Sequence, residues 1–332
     1  MNRSDVPDNP HIPPRPIQCL ATGFNVTANH PALLVLPIAL DLLLWFGPHF
    51  RLKSLLESDL LAFLQDMSRM GGADLAAMVP QLKEMYSLFL ERFNLASILS
   101  SLPIGVPSLM TGLAPITNPL GRPLFIEVQS FGQVFYGFAL FLLLGLVFGS
   151  LYFDQLARAT ALPVEKFSLQ RAVWNTRQTL LLFVLLVIVL ILLGMPAMLI
   201  SFLLAIFGPG AIQIGLLLIG FLALWLLVPL VFTPHYIFAG HESPLRAMQK
   251  SLRLSRMILP GIGFFLLLAV VIYQGLGYLW RMPADNSWVM LAGVLGNAFV
   301  STGLLAGSFV YFRAAIGWAV QDRRRAALNQ ST

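Results

Sequence analysis

Residues 243–256 read SPLRAMQKSLRLSR and lie between two long apolar runs. Ser243 is a favourable N-cap residue, and Pro244 fits the first helical position. Helical spacing then places apolar side chains on one face (Leu245, Met248, Leu252, Leu259) and basic side chains on the other (Arg246, Lys250, Arg253, Arg256). A basic amphipathic helix of this kind lies in the membrane interface, not across the bilayer. The stretch therefore predicts an interfacial helix that marks the cytoplasmic side of a membrane protein.

The composition is that of a membrane protein. Of 332 residues, 57% are hydrophobic and 11% are charged, and the mean hydropathy is +0.78. Soluble domains carry about 25% charged residues. The pI of about 9.8 comes from Lys and Arg at the ends of apolar runs, which favours anionic lipid headgroups over nucleic acid as partners. Cys19 is the only cysteine, so an intramolecular disulfide is excluded.

Six apolar runs predict an all-α, polytopic transmembrane helix bundle of about six spans. The runs cover residues 30–47, 131–153, 179–207, 211–238, 259–280 and 288–312. The third run is too long for one straight span, so we expect a kink at Pro196. Shorter amphipathic segments begin near Ile17, Ser168 and Pro244. We expect each of them to lie in the interface and to lead into a helical hairpin.

The polar parts of the chain predict its domain organisation. Residues 1–16 contain five prolines and are expected to form a disordered tail. Residues 17–322 are expected to form a single transmembrane helical domain, and residues 323–332 a basic cytoplasmic tail. Within the domain, residues 50–127 predict an external helical insertion with two amphipathic helices and a proline-punctuated segment.

The distribution of Lys and Arg predicts the orientation. With the N-terminus inside, fourteen of the 21 Lys and Arg residues fall in inner segments, and one falls in a short outer loop. The remaining six lie in residues 50–127, a connection too long to count under the positive-inside rule. The ratio of fourteen to one predicts a multi-pass protein of the plasma membrane with both termini in the cytoplasm.

Asp41 is the only acidic residue deep in a predicted span. An ionisable residue at membrane depth is a candidate for function. Asn297, Ser301 and Thr302 lie at similar depth on the sixth span and are its candidate partners. The alternatives are a polar site for transport and a hydrogen-bonded aspartate that joins helices. The structural alternative is favoured because no other residues form a charge relay.

The sequence predicts no catalytic or metal-binding site. His241 and Glu242 are adjacent and do not face each other on a helix, and a zinc-protease motif would need histidine where Leu245 stands. The other histidines lack the spacing of metal ligands. We therefore expect no cofactor, no metal and no enzymatic activity.

Two GxxxG matches lie within apolar runs, at Gly145 with Gly149 and at Gly303 with Gly307. Small residues at this spacing allow helix backbones to approach closely. Because the motif is common in membrane helices, packing within the bundle is favoured over dimerisation.

Residues 229–268 resemble a segment of a bacterial family. The shared features are a fourth span with Pro229 and Pro234, a short polar turn, and an Ala-x-x-x-Ser-x-Arg helix with Ala247, Ser251 and Arg253. They are similar to those of uncharacterised six-helix membrane proteins related to the membrane domain of glycerophosphodiester phosphodiesterases. The resemblance implies the architecture and the membrane localisation. It implies no activity, because no stretch reads as a separate catalytic barrel of about 250 residues.

These observations predict a non-enzymatic integral membrane protein, either a scaffold or an accessory subunit. Its expected partners are anionic lipids of the inner leaflet and an unknown membrane or cytoplasmic protein. The alternative is a transporter or channel for a small solute or lipid that uses Asp41 and the polar residues of the bundle.

Overall fold

The computed structural model describes residues 13–70, 72–100, 103–206 and 208–330, which are mostly helical. Their α-helices are α1 (Pro16–Asn29), α2 (Val35–Phe46), α3 (Lys53–Met70), α4 (Gly72–Arg92), α5 (Met110–Leu113), α6 (Phe131–Ala159), α7 (Leu169–Ala205), α8 (Pro209–Leu227), α9 (Thr233–Phe238), α10 (Pro244–Met257), α11 (Leu259–Trp280) and α12 (Met290–Gln330). Three-residue strands β1 (His49–Arg51) and β2 (Phe125–Glu127) pair in parallel. The expected all-α class is confirmed.

Both predicted tails lie partly outside the described residues. Residues 1–12 of the expected disordered tail and residues 331–332 of the expected basic tail are not among them. Helix α1 begins at Pro16, and α12 continues through most of the basic tail to Gln330.

Among the described residues, four helices are long and apolar enough to cross a membrane. They cover Phe131–Ala159, Leu169–Leu204, Leu259–Trp280 and Met290–Asp322. The helices Pro16–Asn29 and Pro31–Phe46 pass the same test only together, as a bent pair, which would make a fifth crossing. The described residues therefore include the long apolar helices expected of a multi-pass membrane protein.

Helix α7 differs from the sequence expectation. The segment beginning at Ser168 is not a separate interfacial helix, because it forms the first turns of α7, and α7 continues through Pro196. Residues 169–193 contain no Gly or Pro, so nothing in the sequence ends the helix between the polar segment and the apolar run.

The predicted fourth span is broken near its second end. Helix α8 ends at Leu227, a 3-10 turn covers Val228–Leu230, and α9 begins at Thr233. Pro229 and Pro234 explain the break, because proline has no backbone N–H to donate and its ring clashes with the preceding turn. Some backbone groups at the break therefore need partners from elsewhere in the chain.

The chain divides into two compact units. The first contains Met1–His30, Ser150–Val271 and Gly303–Thr332, and the second contains Pro31–Gly149 and Ile272–Thr302. Helices α6, α11 and α12 contribute residues to both units.

In the first unit, α1 and α12 meet at glycines. A Cβ atom on Gly23 would overlap the backbone of Gly307, and one on Gly303 would overlap the ring of Phe24. The 303–307 GxxxG motif therefore packs α12 against α1 of the same chain, as the sequence favoured.

In the second unit, β1 and β2 hold together the two ends of the segment 50–127. His49 pairs with Phe125, and Arg51 pairs with Glu127. The Arg51 guanidinium also donates from Nε to the Glu127 carboxylate at 2.8 Å. The Asn94 side chain accepts the Phe50 N–H at 3.1 Å, which fixes the end of α4 at the same place.

Candidate functional site

Helix α10 is fixed to the proline break by two serines. The Ser251 hydroxyl accepts the N–H of Phe232 at 3.2 Å and donates to the Pro229 carbonyl at 2.7 Å. The Ser255 hydroxyl donates to the same carbonyl at 3.0 Å. The serines therefore supply hydrogen-bond partners to backbone groups at the break between α8 and α9, and both side chains are fully buried.

The buried face of α10 is not the apolar face that the sequence predicted. Its buried residues are Pro244, Ala247, Ser251, Leu254 and Ser255. At about 100° per residue, this stripe lies roughly a quarter turn from the predicted apolar stripe. That apolar stripe faces outward at one end, where Leu245 is 62% exposed. Small polar residues pack against the protein here, because they satisfy the backbone and allow close approach.

The basic face of α10 is exposed. Arg246, Arg253 and Arg256 are all exposed, and Lys250 pairs with Glu242 at the turn before the helix. Glu242 therefore neutralises one of the four cations predicted to contact lipid. Three guanidinium groups remain next to the exposed apolar stripe.

Ser243 occupies the N-cap position of α10 without using its hydroxyl. Its backbone is extended, with φ −70° and ψ 155°, and Pro244 takes the first helical position as expected. The Ser243 side chain makes no capping hydrogen bond. The Ser243 carbonyl accepts the N–H of Ala247 at 2.8 Å and so begins the helix.

Asp41 is fully buried in the second unit, and it binds backbone of the segment 50–127. Its Oδ1 atom accepts the Ser108 hydroxyl and the Met110 N–H, the latter at 3.0 Å. Its Oδ2 atom accepts the Leu109 N–H at 3.2 Å. The carboxylate thus caps the short helix α5. This contact agrees with the structural alternative for Asp41, an aspartate that joins parts of the chain by hydrogen bonds.

The predicted partners of Asp41 lie on α12, and none of the hydrogen bonds described above for its carboxylate comes from them. Ser301 donates to the Asn297 carbonyl of its own helix at 2.6 Å. Asn297 is 3% exposed, and its Nδ2 has no hydrogen-bond partner among the described residues. Thr302 is fully buried. The hydrogen bonds to the Asp41 carboxylate instead come from residues 108–110, which sequence reasoning did not consider.

A second buried acid, Asp154, was missed. It is 1% exposed and accepts Arg158 Nε and Asn175 Nδ2, each at 2.8 Å. Arg313 of α12 also contacts α6, since its Nη2 donates to the Ala157 carbonyl at 2.9 Å. The spacing of Asp154 and Arg158, four residues apart on a helix, is a sequence signal for this ion pair. The Asp154 carboxylate is therefore neutralised by an arginine of the same chain.

The described residues include no group of three or more His, Cys, Asp or Glu side chains that could hold a metal ion. Searches of family models, curated proteins and solved structures find no match to the chain. The resemblance to the membrane domain of glycerophosphodiester phosphodiesterases therefore stays a prediction.

Proposed function

We propose that this chain is a non-enzymatic, six-span protein of the bacterial plasma membrane, with both termini in the cytoplasm. It acts as a scaffold or accessory subunit, and α10 binds anionic lipid headgroups of the inner leaflet. The sixth crossing is α8 with its proline-broken end. The unknown protein partner of such a scaffold binds at the membrane or on its cytoplasmic side.

The arrangement of α10 supports this proposal most directly. Ser251 and Ser255 hold one face of the helix against the protein, so the other two faces have fixed directions. One of these carries the exposed Leu245, and the other carries Arg246, Arg253 and Arg256. An apolar stripe beside a cationic stripe matches the boundary between acyl chains and anionic headgroups.

The contacts of Asp41 favour a structural role over transport. Its carboxylate is fully buried and binds two backbone N–H groups and one hydroxyl of the same chain. A carboxylate that carries a solute would need to exchange such partners for the solute. The transport alternative therefore has no observation in its favour at this residue.

The test is the stability of the full-length protein in micelles that contain phosphatidylglycerol or phosphatidylcholine. Each charge near an anionic surface contributes about 1 kcal/mol. The triple variant Arg246→Gln, Arg253→Gln, Arg256→Gln should therefore lose roughly 3 kcal/mol of lipid binding, about a hundredfold in affinity. We expect phosphatidylglycerol to raise the melting temperature of the wild type and not that of the triple variant. High salt should remove the difference.

A matched control changes three exposed cations of the segment 50–127, as Arg69→Gln, Lys83→Gln and Arg122→Gln. This variant loses the same charge and should keep the response to phosphatidylglycerol. An equal loss of the response in both triple variants would show that net charge alone is responsible, and a full response in both would show that the cations of α10 do not bind the lipid.

A further inference from the structure

The segment after α4 runs down the side of α6. Leu95 lies against Gly137, where a Cβ atom would be 2.8 Å from Leu95 Cδ2. Leu99 lies against Gly145, where an added Cβ atom would be 2.8 Å from the Leu99 carbonyl oxygen. A Cβ atom on Gly149 would overlap the Ile104 carbonyl. As the segment proceeds from Leu95 to Ile104, its contacts on α6 move by twelve residues, or about 18 Å.

The same segment then runs back along α2. Residues 108–110 bind Asp41, and the Asn118 side chain donates to the Trp45 carbonyl at 3.1 Å. Phe125 then pairs with His49, just beyond the end of α2. The contacts on α2 thus move from residue 41 to residue 49, toward the side from which the segment started.

The depth of the turning point follows from its place on α6. Gly149 is eighteen residues after Phe131, which corresponds to about 27 Å along the helix. The hydrocarbon core of a bilayer is about 30 Å thick. If α6 crosses the membrane, as the proposed function requires, Ile104 lies far from the surface at which the segment begins.

Backbone groups of this segment have partners within the protein, as irregular chain inside a membrane requires. Irregular backbone inside a membrane is tolerated only where protein or a water-filled cavity satisfies it. Asp41 accepts the N–H groups of Leu109 and Met110, and the Ser100 hydroxyl donates to the Val106 carbonyl at 2.7 Å. Ile104, Val106, Leu109 and Met110 are at most 1% exposed. These four side chains are therefore packed in protein.

We propose that residues 95–100 and 103–113 belong to a re-entrant segment, which enters the membrane beside α6 and returns beside α2 to the same surface. Asp41 holds the returning limb by capping α5. The segment 50–127 is then only partly external, in contrast to the sequence expectation. The amphipathic helices α3 and α4 precede the re-entrant segment, and β1 with β2 closes it at the surface.

The test combines a cross-link with a measurement of depth in reconstituted vesicles, in a Cys19→Ser background that removes the only cysteine. Oxidation of Asp41→Cys with Ser108→Cys should form a disulfide, because these side chains are hydrogen-bonded in the native protein. The pair Asp41→Cys with Leu120→Cys is the matched control and should not cross-link. If the variant with Asp41→Cys and Ser108→Cys does not fold, Leu95→Cys with Gly137→Cys tests in the same way the part of the segment that lies beside α6.

Depth is read from nitroxide labels at Leu43 and Phe148, which are exposed neighbours of Asp41 and Gly149. We expect both labels to collide with oxygen in preference to a water-soluble nickel chelate, and a label at Leu120 to show the opposite preference. A folded protein without the cross-link would overturn the proposal. So would a cross-linked protein whose labels at Leu43 and Phe148 meet the nickel chelate as readily as the label at Leu120. Neither result depends on the lipid preference of α10, which the micelle experiment measures separately.

Discussion

The Asp41 carboxylate uses both of its oxygens, which makes its replacements distinguishable. Asn keeps one carbonyl oxygen for Ser108 and Met110 but turns an amide N–H₂ toward the Leu109 N–H. One buried donor left unpaired costs about 1–3 kcal/mol. Asp41→Asn should therefore be moderately less stable than the wild type, and Asp41→Leu much less stable, in thermal unfolding. Equal melting temperatures for the two variants would contradict the capping role.

The contact between α1 and α12 depends on a glycine at position 23. Any side chain there would overlap the Gly307 backbone, which cannot move aside as a flexible side chain can. We expect Gly23→Ala to cost at least about 1–3 kcal/mol of folding free energy, the usual range for overpacking. Gly317→Ala is the matched control, because a Cβ atom there meets nothing within 4 Å. That variant should be neutral or slightly stabilising in the same thermal melt.

His49 should make the stability of the protein dependent on pH. Burial lowers the pKa of His49 below its ordinary value of about 6.5, Arg51 adds to the effect, and a hydrogen bond to the Leu44 carbonyl opposes it. Below pH 6.5 the unfolded chain takes up a proton at this residue, whereas the folded protein resists it. The contribution of His49 to the free energy of unfolding is thus fully present above this pH and falls as the pH decreases. Melting temperatures between pH 7.5 and 5.5 should show a shallower slope in His49→Gln.

At the scale of elements, α10 can be tested through the serines that fix it. Ser251→Ala leaves the Phe232 N–H without its partner and removes one of two donors to Pro229. The expected cost is about 1–3 kcal/mol. Ser243→Ala changes a serine of the same segment that makes no capping hydrogen bond, so its cost should stay within about 0.5 kcal/mol. A larger loss at Ser243 than at Ser251 in thermal unfolding would reverse our assignment.

The sequence predicted that α10 is a helix but not which face packs. Ser243, Pro244 and the helical spacing are local signals, and they placed its start correctly. Apolar periodicity identifies the buried face only where water is the alternative to protein. Beside a membrane, Leu245 is equally well placed facing lipid, whereas Ser251 needs a protein partner. The small polar residues of such a helix are therefore the better guide to its packed face.

At the scale of the whole molecule, the long-range contacts of α2 could not be predicted from the sequence. Asp41 and Ser108 are 67 residues apart, and Trp45 donates to a carbonyl 240 residues away, at Asp285. No local spacing reports such pairings. The sequence did predict the long apolar runs, since these follow from composition alone. It also identified Asp41 as unusual, but it considered only α12 as a source of partners, because depth along a span was its only guide, whereas the described hydrogen bonds come from residues 108–110.

The predicted orientation, with both termini in the cytoplasm, can be tested with single cysteines in the Cys19→Ser background. The ratio of fourteen inner cations to one in a short outer loop places the connections at Val164 and Leu245 inside. It places Leu120 and Met282 outside, and all four side chains are more than half exposed. A membrane-impermeant maleimide should therefore label Leu120→Cys and Met282→Cys in intact cells. Val164→Cys should react only after permeabilisation, and its labelling in intact cells would invert the topology and remove α10 from the inner leaflet.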